Sequence, residues 1–130
     1  MFQRFVAASA IASVVIAFGA LVVVLAPALT LQRIYPLTII WCFVPLAWGI
    51  WALLAPTAWV PQRFPLWGAI LGLIAGSLAA FVLNLPSRIL GETVPFTWRG
   101  LAVVVMAAFY YLLWLLVRNA YRSLASSKSR

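Results

Sequence analysis

A chain of 130 residues that is 67% apolar, with a mean hydropathy of +1.14, cannot be a water-soluble globule. So short a chain buries only part of the surface that its unfolded form exposes, and lipid must solvate the rest. Its formal charge of +8, from nine basic residues and one acid, would point to nucleic acid on a soluble protein. Here the bases stand at the edges of apolar runs instead of along one stripe, which excludes a nucleic-acid groove and fits contact with membrane lipids.

Four apolar runs free of charged side chains follow one another, at 5–25, 37–54, 66–85 and 101–117. Each falls within the roughly 17 to 25 residues that a helix needs to cross hydrocarbon. The pattern predicts an all-α integral membrane protein, a compact four-helix bundle forming one domain over 1–130. The first run, preceded by Arg4 and followed by Ala26, Pro27 and Ala28, imitates a secretory signal. Its apolar stretch of 21 residues outruns the roughly 7 to 15 of a signal, and a retained first helix is expected.

Prolines punctuate the loops: Pro27 and Pro36 bracket the first, Pro56, Pro61 and Pro65 the second, Pro86 and Pro95 the third. Pro45, inside the second run, predicts a kink whose freed carbonyl a neighbouring helix satisfies. Tyr35, Trp59, Trp67 and Trp98 lie near span ends, where aromatic rings straddle headgroup and hydrocarbon. The tail over 122–130 is polar and expected to be mobile.

With the N-terminus inside, the cytoplasmic side holds Arg4, Arg63, Arg118, Arg122, Lys128 and Arg130, and the other side Arg33, Arg88 and Arg99. Six bases against three predict both termini in the cytoplasm. Ala- and Val-rich spans without transit-peptide character point to a bacterial inner membrane.

Three groups of residues are candidate contact surfaces. Gly68, Gly72 and Gly76, continued by Ala80 and Asn84, recur every four residues and form a shallow groove in which another backbone can approach closely. The partner is either another helix of the chain, with the Ser9, Ser13 and Ala17 stripe of the first run a candidate, or another subunit. Asn84 would add a hydrogen bond across helices. Trp41, Trp48 and Trp51 share about a quarter of the second helix's circumference and predict an aromatic stripe against lipid, a partner helix or a flat cofactor such as a quinone. The loop from Pro86 holds Arg88, Glu92, Trp98 and Arg99, an extracytoplasmic rim where an arginine could meet Glu92, a lipid phosphate or a partner carboxylate. In the fourth run Tyr110 and Tyr111 lie near mid-span, and at least one hydroxyl needs a partner inside the bundle.

Catalysis finds little material. There is no histidine, the only cysteine is Cys42, the only acid Glu92 and the only lysine Lys128. These exclude His-ligated haem and metals, carboxylate pairs and a Ser–Lys dyad within the chain, so no enzyme activity, metal or cofactor is expected. In length and layout the chain is comparable to small multidrug resistance transporters, but the membrane-embedded glutamate that defines that family has no counterpart in 5–25. The residues favour a non-catalytic accessory subunit of a larger inner-membrane complex, packed against partner subunits through the glycine face and the tryptophan stripe. A self-associating channel or carrier for a lipidic, hydrophobic or anionic substrate, and a lipid- or cofactor-binding assembly factor, are the alternatives.

Overall fold

The computed structural model describes residues 2–25, 31–60, 62–84, 87 and 91–128, with 31–37 and 128 as backbone alone. All the regular structure among them is helical: α1 (Phe2–Leu25), α2 (Leu31–Leu54), a short 3-10 turn (Thr57–Trp59), α3 (Phe64–Ser77) running into a π turn (Leu78–Val82), and α4 (Phe96–Lys128). Three stretches are long and apolar enough to cross a membrane, Phe2–Leu25, Phe64–Val82 and Phe96–Ser127, and α2 adds the shorter apolar run Thr38–Leu54.

Two boundaries differ from the sequence reading. Pro36 does not close the first loop but lies within α2, which also continues through Pro45. Proline is tolerated in such helices because neighbours re-satisfy freed backbone groups. The carbonyl that Pro45 frees is that of Trp41, one turn back; separately, the Ser9 hydroxyl of α1 donates to the Pro45 carbonyl itself at 2.9 Å and ties α1 to α2 there. The polar tail is the second difference: α4 runs on as helix to Lys128, since after Val117 the chain loses hydropathy but meets neither glycine nor proline. Ser126 and Ser127 donate back to the carbonyls of Ser123 and Leu124.

The core lies toward one end, where α1 begins and α4 finishes. Ala7, Ala8 and Ala12 of α1, Trp48 and Ala52 of α2, Ala55, Phe64 at the start of α3, and Trp114 and Val117 of α4 are buried together. The glycine ladder organises it. A Cβ added at Gly68 would run into the Trp114 side chain, one at Gly72 would lie 2.8 Å from Tyr110 Cβ, and one at Gly76 would lie 3.2 Å from Met106 Cβ. Each step of four along α3 thus meets a step of four back along α4, and the antiparallel pair packs as large side chains into gaps left by missing ones. The partner of the glycine face is α4, whereas of the α1 stripe Ser9 packs on α2 and Ser13 and Ala17 are exposed. Ser13 turns its hydroxyl to its own helix, on the Ser9 carbonyl at 2.8 Å.

Overpacking at such contacts costs about 1–3 kcal/mol, and glycine inside a helix costs about 1 kcal/mol relative to alanine. Gly68→Ala, whose methyl group would run into Trp114, is therefore expected to destabilise by about 2 kcal/mol, the upper overpacking cost less the helix-propensity gain. Gly100→Ala, where nothing lies within 4 Å, should stabilise by up to about 1 kcal/mol. Thermal unfolding of the two variants in detergent checks both signs.

Candidate functional site

Away from the core end the helices part around a half-open cavity of about 940 Å³. Its walls come from all four helices: Val15, Phe18 and Val22 of α1, Ile40, Trp41 and Val44 of α2, Gly76 with Ala79, Ala80 and Leu83 of the π turn and its end, and Ala102, Met106 and Leu113 of α4. Among the described residues no charged side chain lines it. A smaller cleft of about 210 Å³ between α2 and α3, lined by Phe43, Ala47 and Leu71 among others, shares Ile40, Val44, Trp48, Ala75 and Tyr110 with the main cavity.

The sequence builds this hollow in three ways. Small residues on α3 and the π turn, Ala75, Ala79 and Ala80, leave space that larger ones would fill. The π turn, closed by the Leu83 amide on the Leu78 carbonyl at 2.8 Å, widens the helix where it passes the cavity, a local irregularity frequent at functional sites. Finally, Gly19 faces the Trp41 ring, 3.2 Å from where its Cβ would lie, so that this indole closes against α1 and walls the cavity.

The tryptophan stripe of α2 divides among three neighbours. Trp41 meets α1. Trp48, 2% exposed, points inward, its ring 5.2 Å from that of Tyr110 and 5.6 Å from that of Trp114. Trp51 stacks on Trp67 of α3 with centroids 4.6 Å apart. The last two also exchange hydrogen bonds, each indole N–H donating to the other's carbonyl, at 2.9 Å from Trp51 and 2.7 Å from Trp67. This reciprocal pair fastens α2 to α3 on the core side of the cleft. Trp59 stands edge-on to Trp67, with the Arg63 guanidinium over its other side at 5.8 Å from the ring centre.

Of the glycine-face residues, Gly68, Gly72, Gly76 and Ala80 are buried, and Gly76 and Ala80 also line the cavity. Asn84 departs from expectation. Its side-chain oxygen is buried without a hydrogen-bond partner among the described residues, and its φ of 54° ends the π turn in the left-handed region, which Asn enters more readily than most residues.

Of the rim residues, Glu92 and Arg99 form no ion pair with each other. Arg88 lies outside the described residues, while Glu92 and Trp98 are exposed and unpaired with Arg99. The Arg99 guanidinium folds back into its own loop instead, donating to the Val94 carbonyl at 3.2 Å and the Ser87 hydroxyl at 3.4 Å, while the Val94 amide donates to the same hydroxyl at 3.1 Å. Arg99 serves as the loop's brace, because carbonyls and a hydroxyl within reach solvate its charge better than a distant carboxylate. Among the described residues no group of His, Cys, Asp and Glu could hold a metal ion.

Sequence reasoning missed the Trp51–Trp67 pair and the seating of Trp114 at Gly68. Only the second left a signal: Met106, Tyr110 and Trp114 repeat every four residues, the spacing of the glycines they meet. No protein-family model, curated protein or solved structure matches the chain.

Trp67→Phe keeps the stacked ring but deletes one of the paired hydrogen bonds, and an interhelical bond of this kind in a membrane protein contributes about 0.6–1.7 kcal/mol. The variant is expected to unfold earlier by that amount in a denaturant titration, whereas Trp59→Phe, which removes no observed hydrogen bond, should leave stability nearly unchanged.

Proposed function

We propose that the chain crosses a bacterial inner membrane four times, with both termini in the cytoplasm, and that it binds a hydrophobic molecule in the cavity between its helices. It acts by binding and not by catalysis. The observation that carries this reading is the cavity of about 940 Å³, lined almost wholly by apolar and aromatic side chains and of the size range of small-molecule sites. Along such a half-open hollow the helices lack packing partners of their own, and an apolar ligand supplies them. The four-span topology draws support from the six-to-three distribution of basic residues.

Two features that had favoured an accessory subunit, the glycine face and the tryptophan stripe, are engaged within the chain itself. They leave that reading without a dedicated surface. The self-associating channel loses its glycine interface for the same reason.

Purification of the full chain from its native membrane in mild detergent, followed by native mass spectrometry, tests the proposal. A hydrophobic small molecule at fixed stoichiometry is expected. Ala79→Phe, which places a ring in the cavity, should reduce its retention about tenfold, equivalent to about 1.4 kcal/mol. Co-purification of stoichiometric membrane subunits with no bound small molecule would overturn the reading in favour of an accessory role. Reporter fusions at the two termini check the orientation, and an extracytoplasmic signal at either end would overturn it.

A further inference from the structure

The cavity is apolar except at one spot. Trp48 of α2 and Tyr110 of α4 line both the main cavity and the smaller cleft, so they stand where the two spaces join. Their rings meet at 5.2 Å, edge to face, and the indole nitrogen lies near the phenol hydroxyl without reaching hydrogen-bond geometry. Trp48 is 2% exposed, and its Nε1 has no acceptor among the described residues.

An indole N–H can only donate, while a phenol can both donate and accept. If the N–H were to close on the phenol oxygen, the phenol's own proton would be left over. If the phenol proton turns elsewhere, the indole proton is left over. In every arrangement two donor hydrogens face one acceptor oxygen, and a surplus donor in hydrocarbon is unfavourable until an acceptor arrives.

We infer that the ligand of the cavity carries a neutral acceptor oxygen, a carbonyl, on an otherwise apolar body, and that the Tyr110 hydroxyl recognises it, with the sealed Trp48 indole N–H beside its oxygen leaving the phenol proton free to donate. This rests on the reading of the cavity as a ligand site. The described walls around Trp48 and Tyr110 carry no charged side chain, which disfavours a carboxylate or phosphate as the buried group. Depth narrows the class further. Tyr110 is eleven residues along α4 from Arg99 and eight from Arg118, about 16 Å and 12 Å at the helical rise, which puts its hydroxyl deep in the hydrocarbon. The ester carbonyls of a glycerolipid are tied to a headgroup at the interface. A flat ring carbonyl of quinone type carries no such tether, and the aromatic walls at Trp41 and Phe109 suit its faces.

The test measures equilibrium binding of three probes to the purified full-length chain: a decyl-substituted benzoquinone, decylbenzene, and a phosphatidylglycerol with decanoyl chains. The benzoquinone is expected to bind about tenfold more tightly than decylbenzene, the effect of one well-made hydrogen bond. Tyr110→Phe, which removes the hydroxyl and keeps the ring, should bring the ratio of benzoquinone to decylbenzene affinity, both measured on that variant, close to one. Equal affinity of the unaltered chain for benzoquinone and decylbenzene would overturn the inference and leave the cavity reading intact, a comparison that does not depend on any variant folding. A Tyr110-dependent preference for the phosphatidylglycerol over the benzoquinone would support carbonyl recognition and assign the carbonyl to a lipid ester. Failure of all three probes to bind would overturn the cavity reading along with the inference.

Discussion

The seating of Trp114 in the gap at Gly68 is the contact on which the rest of the bundle depends. Between helices in lipid the hydrophobic effect gives little net attraction, so closeness must come from complementary shape. Trp114 is fully buried, with Trp48 and Phe64 against its ring, and Val117 one turn on completes the same core. Tyr110 and Met106 continue the match against Gly72 and Gly76, each a looser fit than the one before. The progression sets the spacing of α3 and α4, tight at the core end and relaxed toward the cavity.

Polar groups follow a consistent economy. Ser9, Trp51 and Trp67 each donate to a backbone carbonyl of a neighbouring helix, and Arg99 to its own loop. A carbonyl with a second lone pair free accepts such a bond without losing its helical partner, so α1 to α2 and α2 to α3 are joined without disturbing either ladder. The Trp48 and Trp114 indoles stand outside this pattern, each with its Nε1 buried and without an acceptor among the described residues, and Trp48 lies beside the Tyr110 hydroxyl.

Much of the secondary structure was legible in the sequence, because hydropathy and charge-free length are local properties. The ends were less so. Pro36 reads as a loop boundary only if proline always stops a helix, and the α4 extension past Val117 is polar without containing a breaker. The glycine face was visible from its spacing, but its partner was not: α1 offers a small-residue stripe, α4 offers bulk at the same period, and choosing between them requires the fold. Asn84 illustrates a residue whose chemistry suggested a hydrogen bond and whose backbone was the point. The cavity left no trace in the sequence, since it arises from the distances between four helices and belongs to no one of them.

The contrast between a solid end and a hollow end gives the molecule two mechanical halves. Close-packed protein interiors are nearly incompressible, whereas volume can be removed from a void. Lateral pressure from the surrounding acyl chains acts along the whole bundle, but strain collects where the walls can move. The half lined by Phe18, Trp41 and the π turn yields first, and the half around Trp114 serves as its rigid footing. An empty chain in a thinner or more tightly packed bilayer is thus squeezed unevenly, and an occupant of the cavity stiffens the soft half against that squeeze.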